Sequence, residues 1–387
     1  MLEKLPRGTT SFIVTDQDEP QRDYDIVVMP AIGVMVATEL ALSSMRVAAE
    51  HIEEFIIAIE PEGTKRALGL REAFPLVASG KAWDETKYTW GLQATGCDRT
   101  TLSGEGIRVA VLDTGVDLTH PDLAKRIRRH HTACFIPGRS DVADVARHGT
   151  HCVGTLGGGR FPQVAPGYGV AYNSEVWVGK VLGDDGNGKD SWILRGIHWA
   201  VRHHCRVISM SLGTPVSNGE PYSKVYEAVA ARALEHGTLI VAAAGNDSSR
   251  YLGRICPVSS PANCPSILSV AALDSIEQNS YAVADFSNSG LIPDGGSVDL
   301  AAPGVFVYSS FPMPVKYSRE AGTSMATPHV AGIAALLLEE DPTRGAREIW
   351  RLLRERAKPL SLSGVDVGAG LVSAQARKVA EGFRNVP

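Results

Sequence analysis

No run in the chain reaches the roughly 18 apolar residues that a membrane-spanning helix needs. The most apolar early stretch, residues 27–38 (VVMPAIGVMVAT), follows the acidic DQDEPQRDYD instead of a basic segment. It therefore reads as strand and not as an export signal. With Met1 at the start, a cytoplasmic setting is expected, and secretion is the alternative if a signal has been removed. Cysteine is sparse: six in 387 residues, with no CxxC pair and no Cys/His grouping at zinc spacing. That excludes a structural zinc and a disulfide scaffold. Buried free thiols are expected, with Cys256 and Cys264 as the pair to form if the surroundings oxidise. Positive charge is not in excess, since 38 Lys and Arg stand against 43 Asp and Glu. Without a basic stripe, nucleic acid is not an expected partner. The short cluster at 125–131 reads as a solvated helix end. Internal repeats and low-complexity tracts are also lacking.

What remains is ordinary globular composition, 44% hydrophobic and 21% charged, with ample length for a large core. Two parts are visible. Residues 1–83 carry strand-like runs at 11–15, 33–38 and 55–60, with a helical run at 39–51 between the last two. This predicts a small α+β module, and residues 62–90 read as a connector. From Gly104 the pattern changes to apolar runs that end in Gly, Asp or Asn: 107–113, 175–182, 206–213, 238–246, 266–273 and 298–304. Such unbroken runs predict strands buried on both faces, hence a parallel sheet flanked by helices. Helices are expected at 192–203, 223–236, after Ser324 and at 346–357. Active sites in such sheets lie at the carboxyl ends of the strands, where Asp113 and Asn246 fall.

Four strings carry candidate chemistry. VLDTGVD (111–117) ends a strand on Asp113, a carboxylate that could hold an imidazole in one tautomer; alone, DTG reads equally as a capped turn. RHGTHCVGTLGG (147–158) offers His148 as a proton acceptor among small residues. His151 competes for that role, and H-G-T-H without the Glu of HExxH argues against zinc. AGTSMATPHVAG (321–332) places Ser324 at a helix entry, where free N–H groups favour a developing oxyanion. Pro328 is expected to be tolerated because it lies near that helix start. AAAGND (242–247) ends on Asn246, an amide donor or simply a Gly-Asn turn.

Together the four strings resemble the subtilisin-like serine peptidases, from about Trp90 to Ala380. Asp113, His148 and Ser324 follow the Asp…His…Ser order known for subtilisin, with Asn246 between His and Ser. VDLTHPDL (116–123), SMSLG (209–213), VDLAAPG (298–304) and GAGLVSAQA (368–376) strengthen the likeness. Two positions depart from it: Arg147 and Ala321 stand where the family often has Gly and Ser. Arg147 is expected to bear on substrate access.

The resemblance implies a three-layer α/β fold with a mostly parallel central sheet over 84–387, preceded by a pro-region-like module at 1–83. It implies a serine endopeptidase with Ser324 as nucleophile, His148 as base and Asp113 as orienting acid. The Asn246 amide and the Ser324 N–H would hold the oxyanion. A protein or peptide substrate would pair with Ser211, Leu212 and Gly213 on one side and Gly186, Asn187 and Gly188 on the other. Asp184, Asp185 and Asp247 are expected near those pockets, favouring basic side chains. The N-terminal module is expected to inhibit the enzyme and to be cleaved by it. No cofactor is required, no metal site is assigned, and calcium enters by family analogy only. Two other outcomes share these residues: transfer of the acyl group to an amine, as in a precursor-processing protease or macrocyclase, and a catalytically silent scaffold.

Overall fold

In the computed structural model, which describes residues 10–15, 26–38, 56–68, 82–162, 166–292 and 295–375, the chain opens on a four-stranded sheet. Its strands β1 (Thr10–Thr15), β2 (Ile26–Met29), β3 (Val34–Thr38) and β4 (Ile56–Pro61) lie in the order β2-β3-β1-β4. The apolar stretch at 27–38 is thus a hairpin: β2 and β3 pair antiparallel across a turn whose Gly33 has φ 65. The helix expected at 39–51 lies outside the described residues.

The stretch expected as a connector is partly ordered structure. Thr64–Ala67 forms strand β5, and Trp90–Thr95 forms helix α1, capped by the Thr89 side chain on the Leu92 N–H and closed by Gly96 at φ 75. The sequence TKRA has no apolar alternation, because β5 is held by backbone pairing and not by a buried face.

Beyond Gly104 the six expected runs all contribute to one eight-stranded sheet, which two unexpected short strands, Thr132–Cys134 and Ser280–Val283, complete. Along the chain come β6 (Arg108–Asp113), β7 (Thr132–Cys134), helix α2 (His148–Gly157), β8 (Glu175–Lys180), β9 (Asn187–Lys189) and helix α3 (Asp190–Arg202). They are followed by β10 (Val207–Met210), β11 (Leu212–Gly213), helix α4 (Lys224–Glu235), β12 (Leu239–Ala243), β13 (Leu268–Glu277) and β14 (Ser280–Val283). Next are β15 (Leu300–Pro303), the hairpin β16 (Val307–Ser310) and β17 (Tyr317–Glu320), helix α5 (Thr323–Glu340) and helix α6 (Ala346–Arg356). The sheet order is β14-β13-β12-β10-β6-β8-β7, with β15 also on β13; only β14 runs antiparallel to its neighbour.

Alternation across the pleat makes two cores. Val109 and Val111 face Cys152, Leu156, Leu338 and Leu353 of α2, α5 and α6. Ala110 and Leu112 face Ile193 and Ile197 of α3, Val229 of α4, and Met29 and Val34 of the N-terminal sheet. The fold is therefore three-layered, as the resemblance implied. Each fully buried Val, Leu or Ile in these layers contributes roughly 1.5–3 kcal/mol. Helix α5 is buried on every side from Thr323 to Leu338, which its nearly uninterrupted apolar sequence requires.

Candidate active site

Strand β6 ends on Asp113, which is fully buried at the carboxyl edge of the sheet. Its Oδ1 accepts from His148 Nδ1 and from the Thr114 N–H, both at 2.7 Å. His148 is the first residue of α2, and two devices seat that helix against β6. Gly149 packs on the turn at Gly115 so closely that a Cβ would lie 2.2 Å from the Gly115 carbonyl oxygen. Buried Asp144 accepts from the Thr150 N–H and the Thr114 hydroxyl, both at 2.7 Å, and so caps the helix start. Arg147 precedes α2 at φ 70, a left-handed conformation that favours glycine. The departure from the family pattern at this position is therefore one of backbone strain.

Burial would lower the pKa of the His148 imidazole, but the Asp113 carboxylate and, after it, the Cys152 sulfur together outweigh burial and hold the group well above its ordinary value. Its Nε2 is buried with no hydrogen-bond partner. His151, the competitor, donates from Nε2 to the Val307 carbonyl at 2.9 Å. Burial pushes its pKa down to about 3, so it is a neutral structural residue. Burial also raises the Asp144 carboxyl and the Cys152 thiol above their ordinary values.

Ser324 is the second residue of α5. Its Oγ lies 3.0 Å from the Leu68 carbonyl oxygen and 3.2 Å from that of Ser211. Pro328 sits inside the helix and not at its first position. It is tolerated because the Ser324 carbonyl, which loses its helical donor to the proline, accepts from the Ser211 hydroxyl at 2.9 Å and the Cys152 thiol at 3.6 Å. Asn246 is oriented by its Oδ1, which accepts from the Thr323 N–H at 3.0 Å and the Thr323 hydroxyl at 2.8 Å. Its Nδ2 then donates to the Leu68 carbonyl at 2.9 Å.

Leu68 belongs to the segment that fills the cleft. Strand β5 lies between β9 and β11, antiparallel to both. Leu212 and Gly213 pair with Ala67 and Arg66, and Asn187 and Gly188 pair with Arg66 and Lys65. The Leu68 N–H donates to the Ser211 carbonyl and the Ala67 N–H to the Gly186 carbonyl. All six residues expected to line a substrate thus lie along the chain's own residues 64–68. The Ser324 hydroxyl and the Asn246 amide converge on the Leu68 carbonyl. Helix α2, whose His148 pairs with Asp113, packs on α5 through the Cys152 thiol at the Ser324 carbonyl. A hydroxyl, an imidazole–carboxylate pair and an amide donor are the set that acyl transfer requires.

The acidic residues behave differently from expectation. Asp247 accepts from Arg66 at 3.0 Å, but Asp184 pairs with Arg139 and Lys180, and Asp185 holds the Asn187 side chain and N–H. A second carboxylate that closes on the segment, not expected from the sequence, is Asp190, at the start of α3, 2.9 Å from the Lys65 ammonium. With its acids committed to cations and a turn, the loop at 184–190 does not fit a calcium ion. Among the described residues, only Asp113, His148 and Cys152 stand close enough together to share a metal, and these are the site itself. Sequence reasoning missed Leu68, Asp190 and Asp144; the acid that directly follows GNGK was the one available hint to Asp190. All six cysteines are free, four buried and two half-buried. Among the described residues no helix is long and apolar enough to cross a membrane.

The profile of the Subtilase family matches residues 104–372. The chain is 38% identical over 275 residues to Subtilisin of Bacillus pumilus, covering 71% of this chain and 91% of that one. It is 37% identical over 275 residues to Subtilisin E of Bacillus subtilis (strain 168), covering 71% of this chain and 66% of the relative. Its structure is similar to that of fervidolysin from Fervidobacterium pennivorans, described as a keratinolytic enzyme related to subtilisin: TM-score 0.67, 28% identity, over 82% of this chain and 51% of that one, about half its length. Sphericase is similar at TM-score 0.65 and 32% identity, over 76% of this chain and 100% of its own. The comparisons lend no support to the cytoplasmic setting expected from the opening residues. The chain belongs to the subtilase family and is a serine endopeptidase of the subtilisin type.

Proposed function

We propose that the first substrate of this peptidase is its own chain, cut between Leu68 and Gly69 by Ser324, His148 and Asp113. One observation carries the reading: the Leu68 carbonyl oxygen sits between Asn246 Nδ2 at 2.9 Å and Ser324 Oγ at 3.0 Å. Ser324 Oγ attacks the Leu68 carbonyl carbon while His148 Nε2 takes the hydroxyl proton. The imidazolium is steadied by Asp113, and the oxyanion by the Asn246 amide and the Ser324 N–H at the α5 entry. The intermediate collapses as His148 returns the proton to the Gly69 nitrogen, leaving Leu68 esterified to Ser324. Water, deprotonated by His148, then releases the Leu68 carboxylate and restores Ser324. These steps draw on side chains, one backbone N–H and water.

Other chains enter in the same register, through the backbone groups of Ser211 to Gly213 and Gly186 to Gly188. Residues 1–83 act as pro-region and connector to the peptidase domain at 84–387, and the segment up to Leu68 blocks the cleft until it leaves. The grip on that segment extends beyond the cleft. Glu60 accepts from the Lys224 N–H at 2.7 Å and the Val225 N–H at 3.3 Å, so it caps α4 of the peptidase domain. N-terminal sequencing of the full-length chain beside Ser324→Ala tests the reading. Wild type should yield a new terminus at Gly69, and the variant should stay intact. Cleavage at that bond in the variant, or its absence in wild type, would overturn it.

A further inference from the structure

Lys65 is the fourth residue counted back from the proposed cut, and its side chain is the one charged group of the segment that is buried. Its ammonium lies 2.9 Å from Asp190 Oδ1, with side-chain exposures of 8% and 6%. The carboxylate is built into the peptidase domain. The Tyr226 hydroxyl donates to Oδ1 at 2.8 Å, and Asp190 opens α3, whose dipole favours an anion. The Tyr226 ring lies 5.3 Å from the ammonium and forms a wall of the pocket. By contrast, Arg66 pairs with Asp247 with its own side chain 53% exposed. That pair is worth little, whereas a carboxylate left unpaired in a nearly closed pocket is costly.

Resting on the register proposed above, we infer that Asp190 and Tyr226 make this a pocket for a cationic side chain, so that the peptidase selects substrates carrying lysine or arginine four residues before a leucine cut site. The chain's own Lys65-Arg66-Ala67-Leu68 is the first such sequence. A neutral residue there would leave the Asp190 charge with hydrogen bonds from the Tyr226 hydroxyl and, in this chain, the Gly63 N–H at 2.8 Å, but with no cation, and an acidic one would meet it directly.

The test uses the full-length chain after it has completed its own processing, with peptides Xaa-Arg-Ala-Leu-Gly-Leu in which Xaa is Lys, Arg, Ala or Glu. The kcat/KM for Lys should exceed that for Ala by about 30-fold or more, the low end for removing one partner of a buried charge pair. Glu should be the poorest. In Asp190→Asn the Lys-to-Ala ratio should fall to within about fivefold, the span of an exposed pair. The ratio is taken within one enzyme, so it does not depend on how much of the variant folds, and the wild-type series decides alone if the variant does not fold. Equal rates across the series, all cut after leucine, would overturn the pocket and leave the register standing. A ratio unchanged in Asp190→Asn would overturn the role of Asp190. No cut after leucine in any peptide would overturn the register and the pocket with it.

Discussion

Gly149→Ala tests whether close approach of α2 to the end of β6 is what aligns the imidazole with its carboxylate. An added Cβ would lie 2.2 Å from the Gly115 carbonyl oxygen and 3.0 Å from the Gly115 nitrogen. Both are backbone atoms, so neither can rotate away. Ordinary contact begins at 3.4 Å, so the gap must open by about 1.2 Å, the difference from 2.2 Å. His148 is the preceding residue, and its 2.7 Å bond to Asp113 spans the same gap. A misplacement of about 1 Å at a catalytic group costs about 100-fold in rate. Overpacking of this kind also destabilises by about 1–3 kcal/mol. The assay is kcat/KM on a leucyl peptide together with denaturant unfolding in the Ser324→Ala background, which prevents self-digestion. Gly345→Ala is the control, since a Cβ there meets nothing within 4 Å. A Gly149→Ala enzyme with wild-type kcat/KM and an unchanged unfolding midpoint would refute the reasoning.

Other predictions follow from single groups. Asn246→Ala should lower kcat with little change in KM, by about 2.7–4 kcal/mol, a magnitude taken over from the removal of an oxyanion donor in a subtilisin; an equal rise in KM at constant kcat would contradict the role. Because His148 accepts a proton only when neutral and is held above its ordinary 6.5, kcat/KM should rise with pH through an acid limb above that value. Asp113→Asn removes the larger of the two raising influences and leaves burial, so the limb should move to lower pH as kcat falls by about 10⁴-fold. A limb that stays in place in a pH–rate profile would contradict that assignment. Arg147→Gly relieves a left-handed residue at φ 70 and should raise the unfolding free energy by about 1 kcal/mol in the Ser324→Ala background. A loss of stability would show that the Arg147 side chain outweighs its strain.

The sheet was legible because a parallel strand buried on both faces must be apolar throughout. Runs such as IRVAVLD and TLIVAAAGN admit few other readings, and their polar last residues mark the functional edge. Helix α2 was not read from its sequence, HGTHCVGTLG, because three glycines and three β-branched residues disfavour helix. Its burial along the whole length, against β6 and α5, overrides that propensity. The pairing of Asp190 with Lys65 could not be seen either, since the partners come from distant parts of the chain and neither string is unusual. The same holds for β5, which backbone pairing with β9 and β11 and two ion pairs to distant residues hold in place. Pro328 shows a different limit: its position was noted, but the Ser211 hydroxyl that takes over the freed carbonyl comes from another strand end.

The central claim is that Ser324 is the nucleophile activated by His148. Labelling the processed wild-type chain with a fluorophosphonate and locating the adduct by mass spectrometry tests it most directly. The adduct should fall on Ser324, vanish in Ser324→Ala and become undetectable on the same timescale in His148→Ala. An adduct on another serine such as Ser211, or undiminished labelling in His148→Ala, would contradict it.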